Sequence, residues 1–149
     1  MTANKILVPV DFSAGSEAAL DWATVLARDT GATLLIVHVE TVPLTTGGGE
    51  YIYALPERPT QELLERLETV APKDPQVPVV RRLVTGDPAS AILREADAEG
   101  VELIVMGTHG RRGITRLLMG SVAEEVVRKA PCAVLTVKQG VRTAEPVAG

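Results

Sequence analysis

The chain has 149 residues, 46% of them hydrophobic and 3% aromatic, with a formal charge of -4 and a pI of about 5.2. The length suits one domain, and the apolar share is enough to bury a core and too high for a disordered chain. Few aromatics disfavour a base-stacking platform, the acidic balance disfavours a polyanion-binding face, and a single cysteine, Cys132, excludes an internal disulfide or a cysteine-rich zinc site.

No apolar stretch reaches the roughly 18 residues of a membrane span. Met1 to Lys5 runs straight into a strand, with no signal-peptide pattern. The expectation is a cytoplasmic protein without a membrane or nucleic-acid partner.

Ile6-Leu7-Val8-Pro9-Val10 is apolar on both faces, the pattern of a central parallel strand. Pro9 lacks a ladder donor and belongs near the strand's end. Asp11-Phe12-Ser13 turns into a helix over Ser16 to Thr30, with Ala18, Ala19, Trp22, Ala23, Leu26 and Ala27 at helical spacing and Gly31 as its stop. Thr33 to Val39 reads as a second buried strand, and His38 within it reads as a satisfied core histidine. Glu40 to Pro59 reads as a long connection containing Gly47-Gly48-Gly49, Tyr51 and Tyr53, of unassigned role.

Thr60 is placed to cap a helix with Leu63, Leu64, Leu67 and Val70 on its buried stripe. Val77 to Val84 is a third strand, and Arg81 and Arg82 place it away from the sheet's centre. Gly86-Asp87-Pro88 opens a helix with Asp at N-cap and Pro at the first helical position; Ala91, Ile92 and Ala96 face the core and Gly100 ends it. A fourth strand near Leu103 to Met106 leads into Gly107-Thr108-His109-Gly110-Arg111-Arg112-Gly113. Gly120-Ser121 closes this loop, and Val122 to Lys129 reads as a helix. After Ala130-Pro131, Cys132 to Val137 is a fifth strand, with Cys132 read as a small core residue. Residues 139–149 read as a loose tail, leaving 1–138 as the folded domain.

Strands alternating with helices imply a three-layer α/β/α sandwich around an open, five-stranded parallel sheet. A flavodoxin-like order, 3-2-1-4-5, puts strands one and four at the point where the winding reverses, and ligands bind outside the carboxyl ends of strands at such a point. Asp11 follows strand one and Gly107 follows strand four, so both address one crevice.

Glycines between a strand and a helix let main-chain N–H groups point inward with no Cβ in the way, and the helix start favours an anion. The same pattern also occurs in plain turns, and both readings stand on spacing alone. Ser121 can donate to a phosphate; it also opens a capping-box pattern, Ser121-x-x-Glu124. No Gly-Lys-Ser/Thr follows the glycines, so this is not a P-loop. Arg111, Arg112 and Arg116 could partly replace the missing lysine or be ordinary solvated charges.

Val8-Pro9-Val10-Asp11-Phe12-Ser13, His38-Val39, Met106-Gly107-Thr108-His109-Gly110 and Leu118-Met119-Gly120-Ser121-Val122 together make the chain resemble the universal stress protein family from Lys5 to Val137. The family's nucleotide signature, Gly-x2-Gly-x9-Gly-Ser/Thr, is intact. The resemblance implies the ATP-binding subgroup and an adenine nucleotide alpha hydrolase-like fold. It implies Pro9, Val10, Asp11 and Val39 at the adenine and ribose end. It places Met106, Gly107, His109, Gly110 and Arg111 along the ribose and phosphates, and Gly120, Ser121 and Val122 at the outer phosphates. Magnesium would bridge phosphates instead of occupying a protein cage.

A dimeric, nucleotide-dependent stress-response regulator, at most a slow ATPase, is the function this implies. The alternatives are an interaction module that binds AMP, cyclic AMP or no nucleotide, and a true ATP-dependent enzyme using the Glu40–Pro59 loop. No Ser–His–Asp or paired-carboxylate pattern stands out, and no catalytic residue is assigned. The resemblance also implies a homodimer through the strand Cys132–Val137, whose apolar edge would otherwise be bare. The protein partner stays open.

Overall fold

The computed structural model describes residues 4–45, 51–54, 61–109 and 119–138. Strand β1 (Lys5–Pro9) buries Ile6, Leu7 and Val8 completely, with Pro9 at its end. Helix α1 (Ala14–Thr30) starts two residues earlier than the apolar spacing suggests, because Ser13 is its N-cap: the Ser13 hydroxyl accepts from the Ser16 N–H at 3.2 Å. Gly31, at φ 77°, ends it in the left-handed conformation and returns its N–H to the Ala27 carbonyl.

Strand β2 (Thr33–Glu40) follows. The connection after it is not a plain loop. Strands β3 (Val42–Thr45) and β4 (Tyr51–Ala54) pair antiparallel as a hairpin outside the main sheet. Helix α2 (Gln61–Thr69) buries Leu67; Thr60, its expected cap, lies outside the described residues. Strand β5 (Val79–Thr85) leads to α3 (Pro88–Ala98), where Asp87 caps by accepting from the Ser90 N–H and Pro88 occupies the first turn, as the sequence predicts. Strand β6 (Leu103–Gly107), helix α4 (Ser121–Lys129) and strand β7 (Ala133–Val137) complete the domain. The tail, 139–149, lies outside the described residues.

The main sheet runs β5-β2-β1-β6-β7, all pairs parallel. Counting only its own strands, that is the expected order 3-2-1-4-5. The arginine-bearing β5 and the Cys132-flanked β7 are its two edges. The side-chain period of two along β1 splits the core. Ile6, Val8 and Val10 pack with Ala19, Leu20 and Ala23 of α1 and Leu67 of α2. Leu7 packs on the other face with Ile92 and Ala96 of α3 and Ala123 and Val126 of α4. Burying each of the largest of these side chains contributes about 1.5–3 kcal/mol. Two apolar layers thus hold the carboxyl ends of β1 and β6 side by side. No helix among the described residues is long and apolar enough to cross a membrane.

Candidate functional site

The site begins where β1 and β6 end. Their register pairs Ile6 with Leu103 and Leu7 with Ile104, so Pro9–Asp11 and Gly107–His109 emerge from neighbouring strands at one edge. Winding reverses here: β1 connects through α1 to β2 on one side, while β6 lies on the other. The crevice of an open α/β sheet forms at such a place.

On the β1 side the turn is tightly bonded. The Val10 N–H donates to the Val37 carbonyl at 2.8 Å. Asp11 Oδ1 accepts from the Ser13 N–H at 3.0 Å and from the Ser13 hydroxyl. Asp11 therefore does not cap α1; it orients Ser13, which does. Phe12, between them, has φ 65°. That region is costly for a bulky residue. Its ring lies against His38 and under the Arg66 guanidinium. His38 is half-buried and its Nδ1 lies 2.7 Å from the Val10 carbonyl oxygen. A carbonyl can only accept, so this nitrogen carries the proton.

On the β6 side two glycines meet. A Cβ on Gly107 would sit 3.1 Å from the Gly15 main chain, and one on Gly15 would sit 2.9 Å from the His109 carbonyl oxygen. The start of α1 can touch the end of β6 only because neither position has a side chain. The Thr108 N–H extends the ladder to the Val137 carbonyl at 3.1 Å, and its hydroxyl meets His109 Nδ1 at 3.1 Å. His109 Nε2 is buried with no hydrogen-bond partner among the described residues.

The α4 start is tied to the same loop. The Gly120 N–H donates to the Thr108 carbonyl at 2.7 Å, and a Cβ on Gly120 would come within 3.3 Å of that oxygen. Gly120 is extended (φ -62°, ψ 158°) and is itself the N-cap, with no side-chain cap bond. This corrects the capping-box expectation: Ser121 is the first helical residue, one position too late to cap. Its side chain is exposed. The first helical bond runs from Glu124 N–H to Gly120 C=O at 3.0 Å. The N–H groups of Ser121, Val122 and Ala123 thus have no intrahelical acceptor, and the helix dipole adds partial positive charge beside them.

Of the expected contact residues, Pro9, Asp11, Gly107, His109, Gly120, Ser121 and Val122 gather at or beside this crevice. Val39, on the adjacent strand β2, is partly buried against the α3–α4 layer. Val10 and Met106 each keep 5% of their surface exposed, as core residues. Gly110 and Arg111, with Arg112 and Arg116, lie outside the described residues. The sequence marks neither Gly15 nor Arg66 and gives Phe12 only as part of the turn and motif after strand one. A glycine at the second position of a helix is a weak hint, and nothing local marks the other two.

Cys132 is half-buried beside the α3–α4 layer, and burial pushes its thiol pKa up. A protonated, packed thiol fits the expected core role. A separate hollow at the opposite end of the sheet is lined by Arg28, Gly31, Asp74, Gln76 and Pro78, away from the crevice.

The reversed winding and the glycine-lined strand-to-helix loop define a doubly wound α/β protein with an anion-suited helix start. Comparison with known proteins narrows the class. The universal stress protein family model matches residues 2–138, and the chain belongs to that family. It is 39% identical over 138 residues to a universal stress protein of Thermus aquaticus, covering 89% of this chain and 97% of that one. It is 35% identical over 146 residues to universal stress protein YxiE of Bacillus subtilis, covering 91% and 99%. Among solved structures, the universal stress protein from Archaeoglobus fulgidus in complex with dAMP aligns with TM-score 0.63 and 26% identity, covering 93% of this chain and 100% of that one.

Proposed function

We propose that this universal stress protein is an adenine-nucleotide-dependent regulator that binds ATP between the ends of β1 and β6. The observation that carries the reading is the α4 start. Three main-chain N–H groups without an intrahelical acceptor and the exposed Ser121 hydroxyl, which makes no capping bond among the described residues, stand beside the close-packed Gly107 and Gly120 turns. That donor set fits polyphosphate oxygens. In this reading Gly120, Ser121 and Val122 hold the outer phosphates. Gly107, His109, Gly110, Arg111 and the Met106 main chain follow the ribose and inner phosphates. Pro9, Val10, Asp11 and Val39 border the adenine and ribose.

No group of three carboxylate, histidine or cysteine side chains suited to a metal occurs among the described residues. Magnesium, which sheds its water reluctantly, would be held by the phosphates, whose charge it neutralises. Asp11 already accepts two hydrogen bonds from Ser13, so we assign it to positioning and not to proton abstraction. Any hydrolysis is then slow, and occupancy itself is the signal. The dAMP bound by the Archaeoglobus fulgidus relative favours an adenine monophosphate as the second reading.

Among the described strands, edge strand β7 pairs only with β6, and Leu135 is 36% exposed on it. We propose that β7 pairs with its copy in a second subunit to form a two-fold dimer. The nucleotide reading is tested by denaturing freshly purified protein and identifying released small molecules by mass spectrometry. ATP is expected, and AMP would support the second reading. Absence of any adenine nucleotide, together with no ATP binding in equilibrium dialysis, overturns both.

A further inference from the structure

Phe12 is the described non-glycine residue with positive φ, 65°. A bulky side chain adopts this conformation only where its surroundings over-determine it. Two elements remote in sequence supply that determination. From β2, the His38 ring lies 4.6 Å from the Phe12 ring centroid, tilted at 41°, and its Nδ1–H holds the Val10 carbonyl at 2.7 Å. From α2, the Arg66 guanidinium lies 4.0 Å over the same ring. Tilted aromatic pairs and cations over ring faces are both attractive.

Asp11 sits between the two held points, Val10 and Phe12. If Phe12 relaxed to negative φ, the 11–12 peptide would rotate. The Ser13 N–H would then leave Asp11 Oδ1, and the carboxylate would lose its direction. We infer that His38 and Arg66 are positioning residues: they clamp Phe12 and thereby fix the Asp11 carboxylate on Ser13 beside the crevice. The inference rests on the nucleotide reading for its consequence, though not for its geometry. It gives helix α2, which contributes no expected contact to the ligand, control over the site.

The test follows two signals in the full-length protein: ATP affinity by calorimetry, and amide hydrogen exchange of Ser13 by NMR. Arg66→Ala is expected to weaken ATP binding and accelerate Ser13 exchange, each by about two- to five-fold, the range of an exposed cation–π contact. Arg66→Lys restores most of both. Phe12→Gly accepts positive φ without strain but has no ring, so adding Arg66→Ala to it is expected to change neither signal. Wild-type Ser13 exchange in Arg66→Ala, or an equal effect of Arg66→Ala with and without the Phe12 ring, overturns the clamp. If the wild-type protein binds no adenine nucleotide, the functional reading falls, and Ser13 exchange alone still decides the clamp.

Discussion

Gly15→Ala sets two effects of similar size against each other. Gly15 is the second residue of α1, and alanine is favoured over glycine in a helix by at most about 1 kcal/mol. Against that, the new methyl carbon would lie 2.9 Å from the His109 carbonyl oxygen. The opposing atom is backbone and cannot swing aside like a side chain. Overpacking of this kind costs about 1–3 kcal/mol. The clash wins, and a net destabilisation of about 1–2 kcal/mol is expected, lowering the Tm by about 3–6 °C for a domain of this size. The strain falls on the loop that is expected to carry the nucleotide, so ATP affinity should fall with the Tm. Thermal unfolding followed by circular dichroism, with calorimetric ATP titration, measures both. A Gly15→Ala protein more stable than wild type, with unchanged affinity, would refute the close packing of α1 on β6.

The two serines beside the crevice should separate cleanly. Ser13→Ala loses an N-cap and about 1 kcal/mol of stability in urea denaturation, whereas Ser121→Ala leaves stability within about 0.5 kcal/mol and weakens ATP binding about ten-fold, the worth of a hydrogen bond to a charged group. Leu135→Asp on edge strand β7 should convert the proposed dimer to monomer or aggregate by light scattering, and an unchanged dimer counts against that interface. Glu99 is held below the ordinary carboxyl value of 4.5, chiefly by its hydrogen bond from Lys5 and further by the nearby Arg82, despite opposing desolvation. Because its folded pKa is depressed, its contribution is present above pH 4.5 and disappears as pH falls through the lower folded value. Glu99→Gln should therefore be less stable than wild type at pH 7, the two converging in urea titrations as the pH falls through the lowered folded value.

The sheet was legible because its strands carry their own signals. Ile6–Val8 and Leu34–Val37 are apolar on both faces, which only a doubly covered strand tolerates. Asp87-Pro88 and Gly31 punctuate helices through local chemistry, so they too could be read. The hairpin 42–45/51–54 escaped because Pro43 demotes one short strand and a glycine run separates the pair. Ser121 misled for a related reason: the capping-box spacing is local, but the bond from Gly120 to Thr108 fixes where the helix begins. Gly15 and Phe12 owe their roles to the approach of β6, β2 and α2. No neighbour in sequence announces a contact that tertiary packing creates, and a phenylalanine is among the last residues expected at positive φ.

The pairing of Leu7 with Ile104 also bears on how the chain is born. Emerging from the ribosome at about 5–20 residues per second, β1 can align with β2 early but waits several seconds for β6. Throughout that interval its second flank is an open row of amides and carbonyls between oily side chains, the form of template that captures stray strands. A stress protein so built is itself most vulnerable during synthesis, and its yield should depend on how quickly Leu103–Gly107 is delivered.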